Sequence, residues 1–363
     1  MSSSRIFFFV ALLLAGLMLA GCSDRPTVLP MPETPTILPT ETPAPAATAT
    51  PTSPVDTATP VPESTQTATP VPATETPVAT ATATDTTPTA TLPPTNTPTP
   101  APTASPTPPS TLNGVPYSDF IIMDEETKAH VQEIYARGQE MGRDPNAFSK
   151  LGDSLIANPY FLRVFDQKDP NLGSYNLGDY AYLQDIIEHY QGSYDRYGTG
   201  IHVGLHTWSV FDPMWASKEW CKPNENLLDC EIRLNNPSVM LVLLGTNDDA
   251  PQVTFETNYD KIVGHIIDQG IVPILFTKAD RFEGDNRNNE SIRKIAEKYK
   301  VPLVDFDKLA DTLPNRGTGP DNIHLSIANS NDYADPDVFR YGNTVHNLAT
   351  LIMLDRLLAV INQ

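Results

Sequence analysis

Beyond about residue 124 the chain alternates two hydrophobic spacings. Asp124 to about Gly142 places Val131, Ile134, Tyr135 and Met141 among charged residues, a spacing that gives a helix one inward face. Phe148–Leu151 reads as a short strand, Tyr180–Tyr190 as a helix burying Leu183, Ile186 and Ile187, and Gly200–Leu205 as a second short strand. Pro237–Leu244 is nearly all apolar, as expected of a central parallel strand covered on both faces. A helix over Phe255–Gln269 stops at Gly270; the strand Ile271–Phe276, the helix Asn289–Tyr299 and the strand Val301–Phe306 come next. Tyr341–Ile361 closes the chain as a long helix with Leu348, Leu351, Leu354, Leu358 and Val360 available for packing. Strands alternating with helices imply an α/β protein with a mostly parallel sheet and helices on both faces. In such sheets ligands sit at the carboxyl ends of the strands.

The first 112 residues obey neither spacing. Arg5 precedes an apolar run, Ile6–Ala20, that is short for a membrane span and suits the core of a signal peptide. The run ends at Leu19-Ala20-Gly21-Cys22, which resembles the bacterial lipobox, with Cys22 as the lipidated first residue of the mature chain. The alternative is an ordinary signal peptide cleaved near Gly21. Residues 1–21 are therefore read as a lipoprotein signal peptide, which puts the protein on the extracellular face of a bacterial cell membrane, held by lipid at Cys22. Residues 22–112 repeat Thr-Pro and Ala-Thr. Of 36 prolines, 23 fall before residue 110, and no aromatic residue separates Phe9 from Tyr117. With so little apolar surface to bury, this stretch is expected to remain a disordered linker, extended by proline and reaching about 270 Å at most. It can serve as a passive tether or as a glycosylated stalk.

Residues 113–363 have the length of one domain. The net charge of −20 argues against nucleic acid and anionic membrane surfaces as partners. Three cysteines are present; with Cys22 lipidated, Cys221 and Cys230 remain as a pair expected to form a disulfide in an exported protein. Two lone cysteines make no metal site.

The chemistry concentrates in three runs: Gly152-Asp153-Ser154-Leu155, Gly245-Thr246-Asn247-Asp248 and Asp321-Asn322-Ile323-His324. They supply a hydroxyl, an amide donor, and a carboxylate three residues before an imidazole. A serine hydroxyl needs a base within hydrogen-bond reach to become a nucleophile, and imidazole titrates near neutrality. Asp321 can fix the His324 tautomer, while the Ser154 N–H and the Asn247 side chain can face a developing oxyanion. Singly, each run has a plain structural reading as a cap, a turn or a surface pair. Their joint occurrence in this order points to a serine hydrolase.

The three runs resemble those of the SGNH, or GDSL-type, hydrolase family from about Leu151 to the C-terminus. The resemblance implies a three-layer α/β/α fold of flavodoxin-like kind and an esterase, lipase or polysaccharide deacetylase without a cofactor. It implies Ser154 as nucleophile, His324 as base, Asp321 as its orienting acid, and Ser154 and Asn247 in the oxyanion hole. The family's second block, a glycine whose N–H is a third donor, has no clear counterpart. Gly204, at the end of a strand and before Trp208–Trp215, is the choice; Gly178 competes. The expected partner is an acylated, above all acetylated, carbohydrate or another ester, and the protein is expected to be a monomer. Acyl transfer to a glycan acceptor and a non-catalytic surface binding module are the alternatives.

Other residues attract plainer readings. His202 and His206 are spaced as helical metal ligands would be, but their context is strand-like. His130, His189, His265 and His346 suit helix surfaces or packing. The Asp280–Asn289 stretch, with Asp280, Glu283 and Asp285, reads as a solvated loop because its spacing fits no EF-hand. Trp208, Trp215 and Trp220 are expected in the core, with stacking on sugar rings the alternative.

Overall fold

The structure, a computed structural model, describes residues 108–249 and 251–363. The signal segment, Cys22 and most of the Pro/Thr-rich stretch lie outside the described residues. At its far end, Thr111–Leu112 pairs with Val115–Pro116, and Leu112 is buried.

A five-stranded sheet organises the rest. Its strands are β1 (Ile121–Ile122), β2 (Asp144–Gly152), β3 (Pro237–Leu243), β4 (Val272–Phe276) and β5 (Leu303–Val304). They lie in the order β1-β5-β4-β3-β2; β2 to β5 are parallel and β1 is antiparallel to β5. Every residue of β3 is buried, as its nearly all-apolar sequence, broken only by Ser238, requires of a strand with neighbours on both edges and helices on both faces.

The principal helices are α1 (Glu125–Glu140), α2 (Ser154–Ala157), α3 (Leu227–Asn235), α4 (Gln252–Asp268), α5 (Arg287–Tyr299) and α6 (Gly342–Ile361). Asp124 caps α1 by accepting from the Thr127 N–H at 2.8 Å. Helix α1 packs on α6, and α4 on α5, giving a helical layer on each side of the sheet. This is a three-layer α/β/α architecture with a mostly parallel sheet. Helix α6 is long and apolar enough to cross a membrane, but most of it is buried inside the domain.

Several elements differ from the expectation. Strand β2 begins at Asp144, earlier than its apolar stretch, because Asp144 already pairs with Pro237 at the start of β3; Ser149 and Lys150 are also buried in it. Lys150 donates its ammonium to the Tyr194 carbonyl at 2.9 Å, and burial pushes its pKa down to about 7. The expected strand Gly200–Leu205 contributes one ladder contact, Ile201 beside Gly152, before the chain turns. The expected helix Tyr180–Tyr190 is a 3-10 stretch, Gly178–Leu183, followed by an α-helix over Gln184–His189. Val301–Phe306 shrinks to the two residues of β5, and a short helix already runs from Phe306 to Ala310. Cys221 and Cys230 are bonded, tying the segment before α3 to that helix.

Candidate active site

Strand β2 ends at Gly152, and Ser154 opens α2 two residues later. A Cβ on Gly152 would sit 2.3 Å from the Leu243 carbonyl oxygen and 2.5 Å from Ile156, so this close approach admits only glycine. Asp153 caps the turn by accepting from the Leu155 N–H at 3.0 Å. Two asparagines of α6 hold the backbone beyond α2. The Asn343 and Asn347 amides donate to the Tyr160 carbonyl at 2.7 and 2.9 Å, and the Asn347 oxygen accepts from the Leu162 N–H.

His324 arrives from the loop after β5. Its Nε2 lies 2.9 Å from Ser154 Oγ, and its Nδ1 lies 2.7 Å from Asp321 Oδ2. The other Asp321 oxygen accepts from the backbone N–H groups of Ile323 and His324, both at 3.0 Å. The His324 ring and these N–H groups hold the Asp321 carboxyl below the usual carboxylate range, so it is anionic at neutral pH. Ser154 and His324 are half-buried, which leaves the hydroxyl open to a ligand.

Asn247 reaches the same place from the loop after β3. Its side-chain amide donates to Asp153 Oδ2 at 3.3 Å and to the Leu205 carbonyl at 3.2 Å. Gly204, next to Leu205, has a left-handed φ of 78° and open space where a Cβ would be. Among the described residues, neither the Ser154 nor the Gly204 N–H donates to a protein acceptor. Gly178 is elsewhere: its N–H is taken by Asn176 Oδ1, and it packs on the Ala334 backbone.

Beneath these residues lies a buried polar layer that sequence reasoning did not assign. Asp248 accepts from the Thr207 N–H and, at 2.7 Å, from its hydroxyl, pinning the Gly204 turn to the Asn247 loop. Asn288 donates to the carbonyls of Gly245 and Asp248 at 2.9 and 2.8 Å. Thr246 donates to Asp280, which with Glu283 pairs with the Lys278 ammonium. Asp280 and Glu283 are therefore buried and paired; of the three acidic residues of the expected solvated loop, only Asp285 is exposed. The one hint in the sequence is that these polar residues lie close to the ends of apolar strands. Burial, with the nearby Asp280 and Asp248 carboxylates adding to it, raises Asp153 to about 7.

The remaining sequence candidates separate. His202 is exposed and its Nδ1 bonds the Val203 carbonyl; His206 packs between Trp208 and Trp215. His346 is fully buried against Phe161, Phe276 and Phe306, and burial lowers it to about 3. The tryptophans depart from the core expectation: Trp208 and Trp220 are exposed and Trp215 is half-buried. Their neighbourhood is a surface strap pinned by the disulfide. A cavity of about 570 Å³ opens elsewhere, between Tyr160 and the Ile327–Asp332 segment.

No protein-family model matches the sequence, and no curated protein matches it. Among solved structures, the chain is similar to LAE5, an alpha/beta hydrolase enzyme from the metagenome of Lake Arreo, Spain. The identity is 15%, over 58% of this chain and 95% of that one, with a TM-score of 0.38. It is similar to Axe2, an acetylxylan esterase from Geobacillus stearothermophilus, at 14% identity over 57% of this chain and 93% of that one, TM-score 0.36. It is also similar to CEX, a two-domain esterase active on acetylated mannans, at 14% identity and TM-score 0.39; the match covers 66% of this chain and 57% of that one.

Proposed function

We propose that this protein is a serine esterase of the SGNH kind that hydrolyses O-acyl esters, acetyl esters first among them, at Ser154. The observation that carries the reading is the contact chain Asp321–His324–Ser154, with distances of 2.7 and 2.9 Å. Ser154 Oγ attacks the ester carbonyl carbon as His324 Nε2 takes the hydroxyl proton, and Asp321 stabilises the imidazolium. The oxyanion accepts from the Ser154 and Gly204 N–H groups and from Asn247, whose amide exchanges one of its two long hydrogen bonds for it. Collapse breaks the ester C–O bond, and the alcohol leaves with the proton from His324. Water then attacks the acyl-serine, giving its proton to His324, and the acid departs as Ser154 recovers its hydrogen. The donors and the proton acceptor all come from the chain itself.

The lipobox-like Leu19–Cys22 run supports a lipid-anchored protein on the outer face of a bacterial membrane, with the Pro/Thr-rich stretch as its tether. Extracellular O-acylated glycans are the substrates such a location favours.

Hydrolysis of p-nitrophenyl acetate, butyrate and octanoate by the full chain tests the chemistry. Ser154→Ala and His324→Ala are each expected to lower kcat by about 10⁴-fold or more. A loss of only a few-fold in folded variants would remove Ser154 as nucleophile. Preference for acetate over octanoate is expected for a small acyl pocket. Recovery of acylated sugar in place of free acid, when a glycan is added, would make the enzyme a transferase.

A further inference from the structure

A groove of about 400 Å³ runs beside the proposed reaction site, and its inner wall is part of the site's own framework. Ile201 and His202 line it. Ile201 is the ladder partner of Gly152, and the His202 N–H donates to the Gly152 carbonyl at 3.0 Å. Gly204 and Leu205 come shortly after in the chain. The outer wall is aromatic: Tyr197, Trp215 and Trp220. Tyr197 is 50% exposed, Trp220 60%, and the adjoining Met214 82%. Exposed aromatic rings therefore share this wall with polar lining rather than forming a purely apolar patch.

The backbone that carries Trp215 and Trp220 is held. The Trp220 carbonyl accepts from Arg233 at 3.1 Å, and the same guanidinium is paired with Glu225. The next residue, Cys221, is bonded to Cys230 in α3. Trp215 stands edge-on to His202 at a centroid distance of 4.9 Å, and its own turn is capped by Asp212. The strap is therefore fixed before any ligand arrives, which lowers the entropic cost of binding.

The lining chemistry selects the ligand. Thr199, Ser217 and Lys218 add hydroxyls and one ammonium to the lining; the Thr199 hydroxyl donates to Glu231 and the Lys218 ammonium to the Pro213 carbonyl. No carboxylate lines the groove, although acidic residues outnumber basic ones 44 to 24 in the chain. An acyl tail would need an enclosed apolar channel, and this groove is open and edged with polar groups. A pyranose ring has the matching pattern, with apolar C–H faces to lie on aromatic rings and hydroxyls at its rim.

The geometry points to a saccharide subsite: Tyr197, Trp215 and Trp220 hold an uncharged stretch of a glycan chain whose neighbouring acylated sugar enters at Ser154. Its link to Ser154 rests on the esterase reading above; the binding itself needs no turnover.

The test uses the full chain carrying Ser154→Ala, titrated by calorimetry with hexaoses of β-1,4-linked xylose, mannose and glucose. At least one is expected to bind saturably. Trp220→Ala or Tyr197→Ala, both changes at exposed rings, is expected to weaken that affinity about tenfold or more. In the active enzyme the same changes raise KM for the acetylated hexaose by the same factor and leave kcat for p-nitrophenyl acetate unchanged. The subsite is overturned if no hexaose binds or if Trp220→Ala and Tyr197→Ala bind as well as the parent. It is also overturned if Asn329→Ala, in the larger cavity, is the change that loses affinity, or if Trp220→Ala instead weakens turnover of the octanoate ester. Binding without any Ser154-dependent turnover would remove the esterase and keep the subsite; turnover without binding would do the reverse.

Discussion

Asp153 sits where a negative charge is hardest to keep. It is fully buried, faces the carboxylates of Asp280 and Asp248, and yet has to cap the Ser154 turn and hold the Asn247 amide. Its folded pKa of about 7 lies above its ordinary value, so the folded state binds the proton more tightly than the unfolded chain does. Its contribution to stability is complete below the ordinary carboxylate range near 4 and is lost as pH rises through about 7. Asp153→Asn keeps an acceptor for the Leu155 N–H and removes the ionisation. Relative to the parent, the variant is expected to gain stability with rising pH between about 4 and 7, by at most about 1.4 kcal/mol per pH unit. Urea denaturation at several pH values measures this, and a difference that does not change with pH would rule out ionisation of Asp153 in that window. Working on the difference isolates Asp153, because His346, depressed to about 3, gives the parent an opposite slope below its ordinary value near 6.5.

At the scale of elements, α6 does more than fill the core. Its first residue, Gly342, touches the loop that carries Asp321 and His324: a Cβ there would lie 2.1 Å from the Gly317 oxygen. Ser326 ties the two together, donating from its N–H and hydroxyl to the Gly317 carbonyl while its hydroxyl accepts from the Gly342 N–H. Within the next turn and a half, Asn343 and Asn347 secure the backbone downstream of Ser154. The same helix end therefore sets the distance between His324 and Ser154. Gly342→Ala is expected to cost about 1–3 kcal/mol of stability through the forced displacement. It should lower kcat by about tenfold to a hundredfold, because the imidazole is moved from the hydroxyl. A thermal melt beside ester kinetics separates the two effects; full kcat in the folded variant would mean that the loop is positioned without this contact.

For the whole molecule, the proposal joins a lipid-anchored leader, read from the Leu19–Cys22 run, to the esterase proposed for the folded domain. Cys22→Ser is expected to move the protein from the membrane fraction to the soluble fraction of the producing cell, since the apolar run ahead of it would be all that remained to hold it. Retention in the membrane fraction, with the leader shown to be removed, would contradict anchoring at this cysteine.

The alternating architecture was legible because β3 and α4 have the composition that burial on two faces or one demands, and such composition is local. Ser154, Asn247, Asp321 and His324 could be picked out because each lies in a short run whose residue types are unusual together. The disulfide was legible from having two cysteines left to pair. Length and partnership of weak elements were not legible. The start of strand β2 is hidden by the exposed, polar Asp144 and Asn146, and β1 exists only because β5 offers it an edge. The buried Lys278–Asp280–Glu283 layer reads as a solvated loop until its partners are known, since charge is tolerated inside only when paired. Nor could the exposure of Trp220 be foreseen: its apolar ring belongs in a core by composition, yet it lies on a strap whose backbone is tied by the Cys221–Cys230 bond and Arg233. What the chain determines alone is which groups are present and which segments must be buried. Tertiary structure decides the distances between groups far apart in sequence, 2.9 Å across 170 residues for Ser154 and His324, and so what those groups can do.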